Sequence, residues 1–306
     1  MDVSCEVGGL KLKSPLIISS GVWPFDPDLW RSPYTHGVGA ICTKGLTLHP
    51  RDGNPGIRIW EVRGGLLNSI GLENPGVGGF VREYLPKLKD RDVPLIVNLW
   101  AGSLEELKPS MEILRDFESD IDAIELNVSC PNVGEKDHIL RERLSELSSI
   151  FSCARRLWSG PLWVKLSPMS PQVISEALIA QEEGINAVVL ANTWLGMAID
   201  VNREKPVFER VTAGLSGPAI FPLTLRLVWE VKERVSIDVI GCGGISSWED
   251  AVSMFLAGAS AVEIGTITFL EIDAPAKILS GIGSYLKGKG YAYLKEIIGK
   301  AKGGRV

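Results

Sequence analysis

Eight short runs of β-prone, largely apolar residues recur along the chain of 306 residues, and this repetition constrains the fold more than any other feature. Stretches with apolar residues at three- and four-residue spacing lie between many of them, a pattern typical of amphipathic helices. Strands that alternate with helices form parallel sheets, because each helix returns the chain to the edge where the previous strand began. The runs are Pro15–Ser20, Val38–Thr43, Pro94–Leu99, Ala123–Val128, Leu162–Leu166, Ala187–Ala191, Asp238–Gly241 and Ala261–Gly265.

The number of runs favours a closed (β/α)₈ barrel, or TIM barrel, over an open sheet. With 45% hydrophobic residues the chain can bury one large core, so we expect a single α/β domain over residues 1–306. Before the first barrel strand, Gly8 and Gly9 separate two short β-prone segments, which predicts a hairpin that plugs the barrel from below. Helices are expected over Leu104–Phe117, Leu140–Leu157, Pro171–Glu183, Pro222–Val235 and Trp248–Ala257.

Composition excludes several function classes. Acidic residues outnumber basic ones by 37 to 32, whereas nucleic-acid-binding surfaces carry a basic excess. The first residues lack a signal peptide, and no apolar run is long enough to span a bilayer, so we expect a cytoplasmic protein without a membrane anchor. The five cysteines are scattered and the three histidines share no ligand spacing, so neither a disulfide framework nor a metal site is expected.

Polar or glycine residues stand at the carboxyl ends of nearly all the predicted strands. Any one of them is a common turn or cap residue, but in a barrel these ends converge on the face where active sites form. We therefore predict a ligand site there, with the glycine-rich segment from Gly45 to Gly79 as an ordered functional loop. The residues are Ser19-Ser20-Gly21, Lys44-Gly45, Asn98, Asn127, Lys165, Asn192-Thr193, Gly243-Gly244 and Gly265-Thr266.

The last two strand ends indicate a phosphorylated ligand. Gly243 and Gly244 open a helix after the seventh strand, and Gly265 with Thr266 follows the eighth. Glycines let backbone N–H groups approach phosphate oxygens, although they also serve merely to turn the chain. Gly217 is a further position for close approach. No G-x-G-x-x-G follows a strand, so a site for NAD or FAD is not expected on this chain.

Proton transfer needs a titratable group, and Cys130 is the best candidate because it follows the fourth strand in Asn-Val-Ser-Cys-Pro-Asn. A loop cysteine becomes a base when its pKa falls from about 8.5 towards neutrality. Cys5, Cys42, Cys153 and Cys242 are expected to be structural. Lys44 and Lys165 end apolar strands, so each should face an anion, either a ligand or a carboxylate in a salt bridge.

Several motifs in the same order resemble the catalytic subunit of the dihydroorotate dehydrogenases, and the resemblance runs from about Val7 to about Leu270. They are Asn127 to Asn132, Lys44 with Leu48 to Pro55, Leu67 to Gly76 and Gly214 to Ala219. The cysteine at 130 resembles the soluble class rather than the membrane-bound class with serine. Lys165 to Pro168 and Gly-Leu-Ser-Gly-Pro are similar to the NAD-linked branch, in which a partner subunit carries FAD and a [2Fe–2S] cluster.

The resemblance implies an FMN-dependent oxidation of dihydroorotate to orotate in de novo pyrimidine biosynthesis. Cys130 would take a proton from C5 while hydride passes from C6 to flavin N5, and the electrons would reach NAD through the partner. It implies a homodimer as the core of a heterotetramer. The implied FMN residues are Ser20, Lys44, Gly45, Asn98, Asn127, Lys165, Ala191, Gly217, Gly243, Gly244, Gly265 and Thr266. The implied substrate residues are Lys44, Asn68, Ser69, Ile70, Gly71, Leu72, Asn127, Asn192 and Thr193.

Three departures from the family pattern concern the site. The chain has Ala191-Asn192-Thr193-Trp194 where the branch usually has Ile-Asn-Thr, and Trp100 interrupts the usual Asn-Val-Ala-Gly motif. Gly134–Leu144 is charged and nearly free of glycine where relatives have a mobile glycine-rich loop. Three alternatives remain open: a dihydropyrimidine dehydrogenase-like enzyme acting on uncharged uracil or thymine, a flavin-dependent tRNA dihydrouridine synthase, and a non-catalytic barrel that binds a phosphate ligand. The acidic surface counts against the tRNA enzyme.

Overall fold

The computed structural model describes residues 1–128 and 137–303, and it describes the side chains in these ranges except those of 137–141. In chain order the strands are β1 Cys5–Val7, β2 Leu10–Leu12, β3 Leu16–Ile18, β4 Ala40–Cys42, β5 Ile59–Val62, β6 Gly65–Asn68, β7 Leu95–Trp100, β8 Ala123–Asn127, β9 Leu162–Lys165, β10 Ala187–Leu190, β11 Trp194–Met197, β12 Ile199–Asp200, β13 Lys205–Pro206, β14 Thr212–Ser216, β15 Asp238–Cys242 and β16 Ala261–Ile264. The α-helices are α1 Gly76–Gly79, α2 Leu104–Arg115, α3 Asp137–Leu157, α4 Val173–Glu182, α5 Phe221–Lys232, α6 Trp248–Ala257, α7 Ile267–Leu270 and α8 Ala274–Lys289.

Eight parallel strands close into a barrel in the order β10-β15-β16-β3-β4-β7-β8-β9, and each lies wholly or almost wholly within one of the eight predicted runs. Alternate side chains divide the core in two, because successive residues of a strand point to opposite faces. Ile17, Ile96 and Val189 pack inside the barrel, while Leu16, Ile18 and Val188 pack between the strands and the helices. The predicted (β/α)₈ barrel is confirmed.

The hairpin of β1 and β2 closes the lower end of the barrel, as predicted. Its Val7 and Leu12 are buried in the interior cluster. At the turn, Trp163 donates its indole N–H to the carbonyl of Gly8 at 3.1 Å, and the Gly8 N–H is bonded to Asp238 Oδ2 at 2.8 Å. Both turn glycines have positive φ, +52° for Gly8 and +83° for Gly9, which explains why glycine stands there.

The five predicted helices are present with ends shifted by a few residues. Ser103 and Ser247 cap α2 and α6, and Ser247 forms a capping box with Asp250. Gly258, in the left-handed conformation, ends α6. Helix α8 was not predicted. Within the described residues, no helix has the length and apolar composition needed to cross a membrane.

A second sheet covers one side of the barrel mouth, and the sequence analysis did not predict it. Its antiparallel strands are ordered β11-β14-β6-β5. The segment from Gly45 to Gly79, expected to be an ordered functional loop, contributes β5 and β6, and the connection after β10 contributes β11 and β14. Residues that follow two distant barrel strands therefore meet above the barrel.

Candidate active site

A cavity of about 1040 Å³ opens at the carboxyl end of the barrel, under the covering sheet. This volume lies at the upper end of the range of about 300–1,000 Å³ for small-molecule sites, so a cofactor and a substrate could be held together. All the cofactor and substrate residues named from the sequence line this cavity. The proposed base, Cys130, lies outside the described residues, as do residues 134–136 at the start of the charged segment that stands where relatives have a mobile glycine-rich loop.

One end of the cavity is built from glycines. Gly243 and Gly244 have φ of +124° and +79°, and a Cβ on Gly244 would lie 2.5 Å from the backbone nitrogen of Phe221. Gly217, at φ +103°, packs so closely on the covering sheet that a Cβ would lie 2.6 Å from Gly65 Cα. Thr266 donates its hydroxyl to Ser216 at 2.9 Å. This end has space for an anion beside the backbone and small hydroxyl groups, as phosphate binding requires.

The opposite side of the cavity holds a cluster of charged residues around Lys44. The ammonium of Lys44 lies 3.4 Å from Glu73, which also binds Arg58 at 2.6 Å. The positive charges of Lys44 and then Arg58 lower the pKa of the Glu73 carboxyl. One carboxylate therefore faces two cations, and the remaining positive charge suits an anionic ligand.

The turn from Asn68 to Leu72 is fixed by neighbouring hydrogen bonds. Asn68 donates its amide to the carbonyl of Gly214 at 3.1 Å, and Asn54 donates to the carbonyl and hydroxyl of Ser69. A Cβ on Gly71, at φ +77°, would lie 2.5 Å from the Asn54 nitrogen. Asn54 was missed in the sequence analysis. Its role in fixing the turn is visible only in the structure, where its loop lies opposite the turn.

Asn127, Asn192 and Thr193 stand together at the mouth, at the ends of two barrel strands. The Asn192 amide donates a hydrogen bond to Asn127 Oδ1 at 3.4 Å, and the Thr193 N–H donates to Asn192 Oδ1 at 2.8 Å. Amide side chains offer both donors and acceptors, which the edge of a pyrimidine ring requires.

Two tryptophans narrow the cavity. The guanidinium of Arg51 lies over the ring of Trp100, 5.1 Å from its centroid, and Trp194, the first residue of β11 in the covering sheet, also lines the cavity. The Trp194 indole nitrogen is buried without a hydrogen-bond partner among the described residues. Their presence at the cavity was expected from the sequence, whereas Arg51 and Arg210, which also line it, were not singled out as site residues.

The floor of the cavity is formed by Lys165, whose ammonium is almost fully buried. It lies 2.5 Å from Glu263 Oε2 and 3.9 Å from Glu125 Oε1, and it donates to Ser19 Oγ at 3.0 Å. Burial opposes its charge, but the neighbouring Cys242, Glu125 and Glu263 raise the pKa of Lys165 well above its ordinary value. Lys165 is thus a fixed positive charge beneath any bound ligand.

Glu125 and Glu263 were missed in the sequence analysis. Each is the one charged residue of an apolar strand, and each stands two positions before a residue predicted to face the ligand, Asn127 for Glu125 and Gly265 for Glu263. A charged side chain inside an apolar strand is expensive to bury without a partner, so this position was a usable signal.

Comparisons with known proteins identify the family of this chain. The sequence model of the family named dihydroorotate dehydrogenase matches residues 3–286. Three similar proteins are named dihydroorotate dehydrogenase B (NAD(+)), catalytic subunit. The one from Caldicellulosiruptor saccharolyticus is 41% identical and the one from Petrotoga mobilis 40% identical, each over 98% of this chain and 99% of the relative. The one from Bacteroides thetaiotaomicron is 40% identical over 97% of this chain and 98% of the relative.

The fold is also that of a solved structure, the DHODH of Eimeria tenella in complex with ferulenol. The TM-score is 0.80 at 20% sequence identity, and the match covers 98% of this chain and 89% of that one. At this identity the likeness concerns the fold alone. The family match and the full-length relatives carry the assignment: the chain belongs to the dihydroorotate dehydrogenase family and is an oxidoreductase.

Proposed function

We propose that this chain is the FMN-dependent catalytic subunit of an NAD-linked dihydroorotate dehydrogenase, which oxidises dihydroorotate to orotate in de novo pyrimidine biosynthesis. One observation carries the proposal: a single cavity joins a glycine-lined end, a buried ammonium floor and a mouth with excess positive charge. These match the phosphate, the ring and the anionic substrate of such a reaction.

The described residues fit FMN. Gly217, Gly243, Gly244, Gly265 and Thr266 line the cavity together and hold the phosphate, and Gly244 cannot carry a side chain because its Cβ would collide with the backbone of Phe221. Bound FMN supplies the acceptor for the hydride that leaves C6 of dihydroorotate. The positive charge of Lys165 favours an anionic reduced ring, because a buried charge acts strongly in a site shielded from water. The ring is held by Ser20, Lys44, Gly45, Asn98, Asn127, Lys165 and Ala191.

The substrate residues divide by charge. Lys44 binds the carboxylate of dihydroorotate, with the N–H groups of the turn from Asn68 to Leu72 nearby. Asn127, Asn192 and Thr193 bind the pyrimidine edge. Cys130 Sγ, as thiolate, takes the proton from C5 when the hydride leaves C6, which yields orotate. The excess positive charge at Lys44 and Arg58 favours the carboxylate-bearing dihydroorotate over an uncharged pyrimidine.

A partner subunit with FAD and a [2Fe–2S] cluster would take up the electrons and deliver them to NAD in the cytoplasm. Relatives named as catalytic subunits support the existence of a partner. A homodimer of this chain with two such partners forms a heterotetramer. Measuring the mass of the complex after co-expression tests this assembly, and a chain that elutes alone contradicts it.

The enzyme is tested by adding dihydroorotate to the purified flavoprotein without oxygen and following the loss of flavin colour. We expect rapid bleaching by dihydroorotate and none by dihydrouracil, which lacks the carboxylate. Cys130→Ser should keep FMN and bind orotate but bleach roughly 100-fold more slowly or worse, because a hydroxyl is a much poorer base. Bleaching by dihydrouracil alone would instead identify a dihydropyrimidine dehydrogenase-like enzyme, and indifference to both would leave a non-catalytic barrel.

A further inference from the structure

Two carboxyl groups and one ammonium group meet beneath the cavity, on three different barrel strands. Glu125 on β8 and Glu263 on β16 are essentially unexposed, and Lys165 on β9 is 3% exposed. With both carboxyl groups ionised, this cluster would carry a net negative charge in the interior of the barrel. An uncompensated buried charge is expensive, whereas one proton on the pair makes the cluster neutral.

The geometry of the pair favours that proton. One oxygen of each carboxyl group, Glu125 Oε2 and Glu263 Oε1, is buried without a hydrogen-bond partner among the described residues, and oxygens of the two groups lie within 4.8 Å of each other. Two carboxyl groups can hydrogen-bond only when one of them is protonated. Lys165 lies 2.5 Å from Glu263 and 3.9 Å from Glu125, so Glu263 is the ionised partner.

The pKa shifts in the cluster agree with a protonated Glu125 and an ionised Glu263. Burial, and then the charge of Glu263, raise the pKa of Glu125 to about 8. Burial also opposes ionisation of Glu263, but Lys165 and hydrogen bonds from its neighbours lower the pKa of that carboxyl below its usual value. Glu125 therefore holds the proton at neutral pH, and the pair loses it in mildly alkaline solution.

Among the described residues, the remaining titratable groups around the cluster are two thiols. Cys42 donates to Glu125 Oε1 at 3.4 Å, and Cys242 lies 3.5 Å from Ser19 Oγ. Burial raises the pKa of Cys242 to about 12 and that of Cys42 well above its usual value, so neither thiol is ionised at neutral pH. Cys42, Glu125 and Glu263 are close enough to bind a metal ion, but the Lys165 ammonium already supplies the positive charge there.

The protonated carboxyl also fixes an amide at the cavity. Asn98 donates Nδ2 to Glu125 Oε1 at 2.5 Å. Its Oδ1 is then directed away from Glu125, and it is buried without a partner among the described residues. A Cβ on the cavity residue Gly45 would lie 2.8 Å from this oxygen. The hydrogen bond to Glu125 therefore orients the Asn98 amide so that its oxygen, an acceptor, faces the cavity and its NH₂ group, a donor, does not.

We propose that Glu125 and Glu263 share one proton and that this proton makes them positioning residues, which hold Lys165 as an ammonium and Asn98 as an acceptor beneath the bound ring. The role towards the ring rests on the proposed function, whereas the shared proton concerns this chain alone. When the pair loses its proton, the floor of the cavity gains a negative charge. Reduction of a bound flavin should then become less favourable.

Infrared difference spectroscopy in H₂O and D₂O tests the shared proton on the protein with and without FMN. At neutral pH the wild type should show the carbonyl stretch of a buried protonated carboxyl group. This band should disappear when the pH is raised to mildly alkaline values. Glu125→Gln should remove the band. Glu263→Gln should remove it as well, because Glu125 then becomes the only carboxylate beside Lys165 and ionises.

Glu176→Gln is the matched control. Glu176 is a buried carboxyl on α4 whose pKa is also raised by burial, but it pairs with Arg143 outside the barrel. This variant should keep the band and its titration. A wild type without the band at neutral pH, or a band that survives in both Glu125→Gln and Glu263→Gln, would overturn the inference.

The role towards the ring is tested by the reduction potential of bound FMN as a function of pH. In the wild type the potential should fall more steeply where the pair loses its proton, and in Glu125→Gln this extra fall should be absent. If the wild type and Glu125→Gln show the same dependence of the potential on pH, the pair does not influence the bound ring. A protein that bleaches with dihydroorotate but lacks the infrared band refutes this inference alone, whereas a protein with the band but without FMN refutes the proposed function and keeps the shared proton.

Discussion

The positive charge of Lys44 is divided between a carboxylate of the protein and the ligand that it is proposed to bind. Glu73 lies 3.4 Å from Lys44 and 2.6 Å from Arg58, and it is partly exposed. Removing its charge without changing its shape should leave Lys44 free for an anion. We expect Glu73→Gln to tighten orotate binding roughly two- to fivefold, the scale of an exposed ion pair.

Lys44→Met is the opposite change, and it should weaken orotate binding roughly 10- to 100-fold, because a charge-assisted hydrogen bond is lost. Titrating the flavin absorbance with orotate measures both variants. Arg226→Met is a control, since Arg226 pairs with Glu230 on the outer surface of α5. Weaker binding by Glu73→Gln would mean that Glu73 holds Lys44 in place and does not compete for it.

Single residues show what the sequence could reveal about the site. Lys44 and Lys165 were predicted to face anions because they end apolar strands, and the structure pairs both with carboxylates of the protein. The identity of those carboxylates could not be predicted. Glu263 lies 98 residues from Lys165 in the chain, and only closure of the barrel brings the two together.

At the scale of elements, the plug hairpin offers a sharp test of packing. A Cβ on Gly8 would lie 2.2 Å from the indole nitrogen of Trp163, whereas a Cβ on Gly9 would meet nothing closer than 3.7 Å. Both residues have positive φ, so alanine strains the backbone at either position. Gly9→Ala should therefore cost about 1–2 kcal/mol for the backbone alone, and Gly8→Ala a further 1–3 kcal/mol or so for overpacking.

Chemical denaturation followed by the tryptophan signal measures the free energy of unfolding for both variants. The two glycines are neighbours in one turn, so each variant is the control for the other. If Gly8→Ala is no less stable than Gly9→Ala, the hairpin does not pack against Trp163 as described.

The barrel strands were predictable, and the covering sheet was not, for a physical reason. The barrel strands are continuous apolar runs because both of their faces are buried. In contrast, β5 is exposed along most of its length and β14 contains a glycine, so neither has a clear pattern. The pairing of β6 with β14 joins segments almost 150 residues apart, and no local signal encodes it.

At the scale of the whole molecule, the proposed FMN site joins the ends of most barrel strands and the covering sheet. A ligand that binds only the folded state stabilises it by mass action, by about 2.7 kcal/mol when its free concentration is 100 times its Kd. For a chain of this size that corresponds to a rise of about 4 °C in the unfolding temperature. Removing FMN from the purified protein should lower its unfolding temperature accordingly, and adding FMN should restore it.

The glycine-lined end predicts that much of this stabilisation depends on the phosphate. Riboflavin, which lacks the phosphate, should raise the unfolding temperature less than FMN at equal concentration. Gly244→Ala places a Cβ 2.5 Å from Phe221 and should abolish this difference, whereas Gly290→Ala has a similar positive φ with open space around it and should preserve it. Scanning calorimetry with each ligand measures the shifts. Equal shifts by riboflavin and FMN in the wild type would mean that the ligand's phosphate does not bind at these glycines.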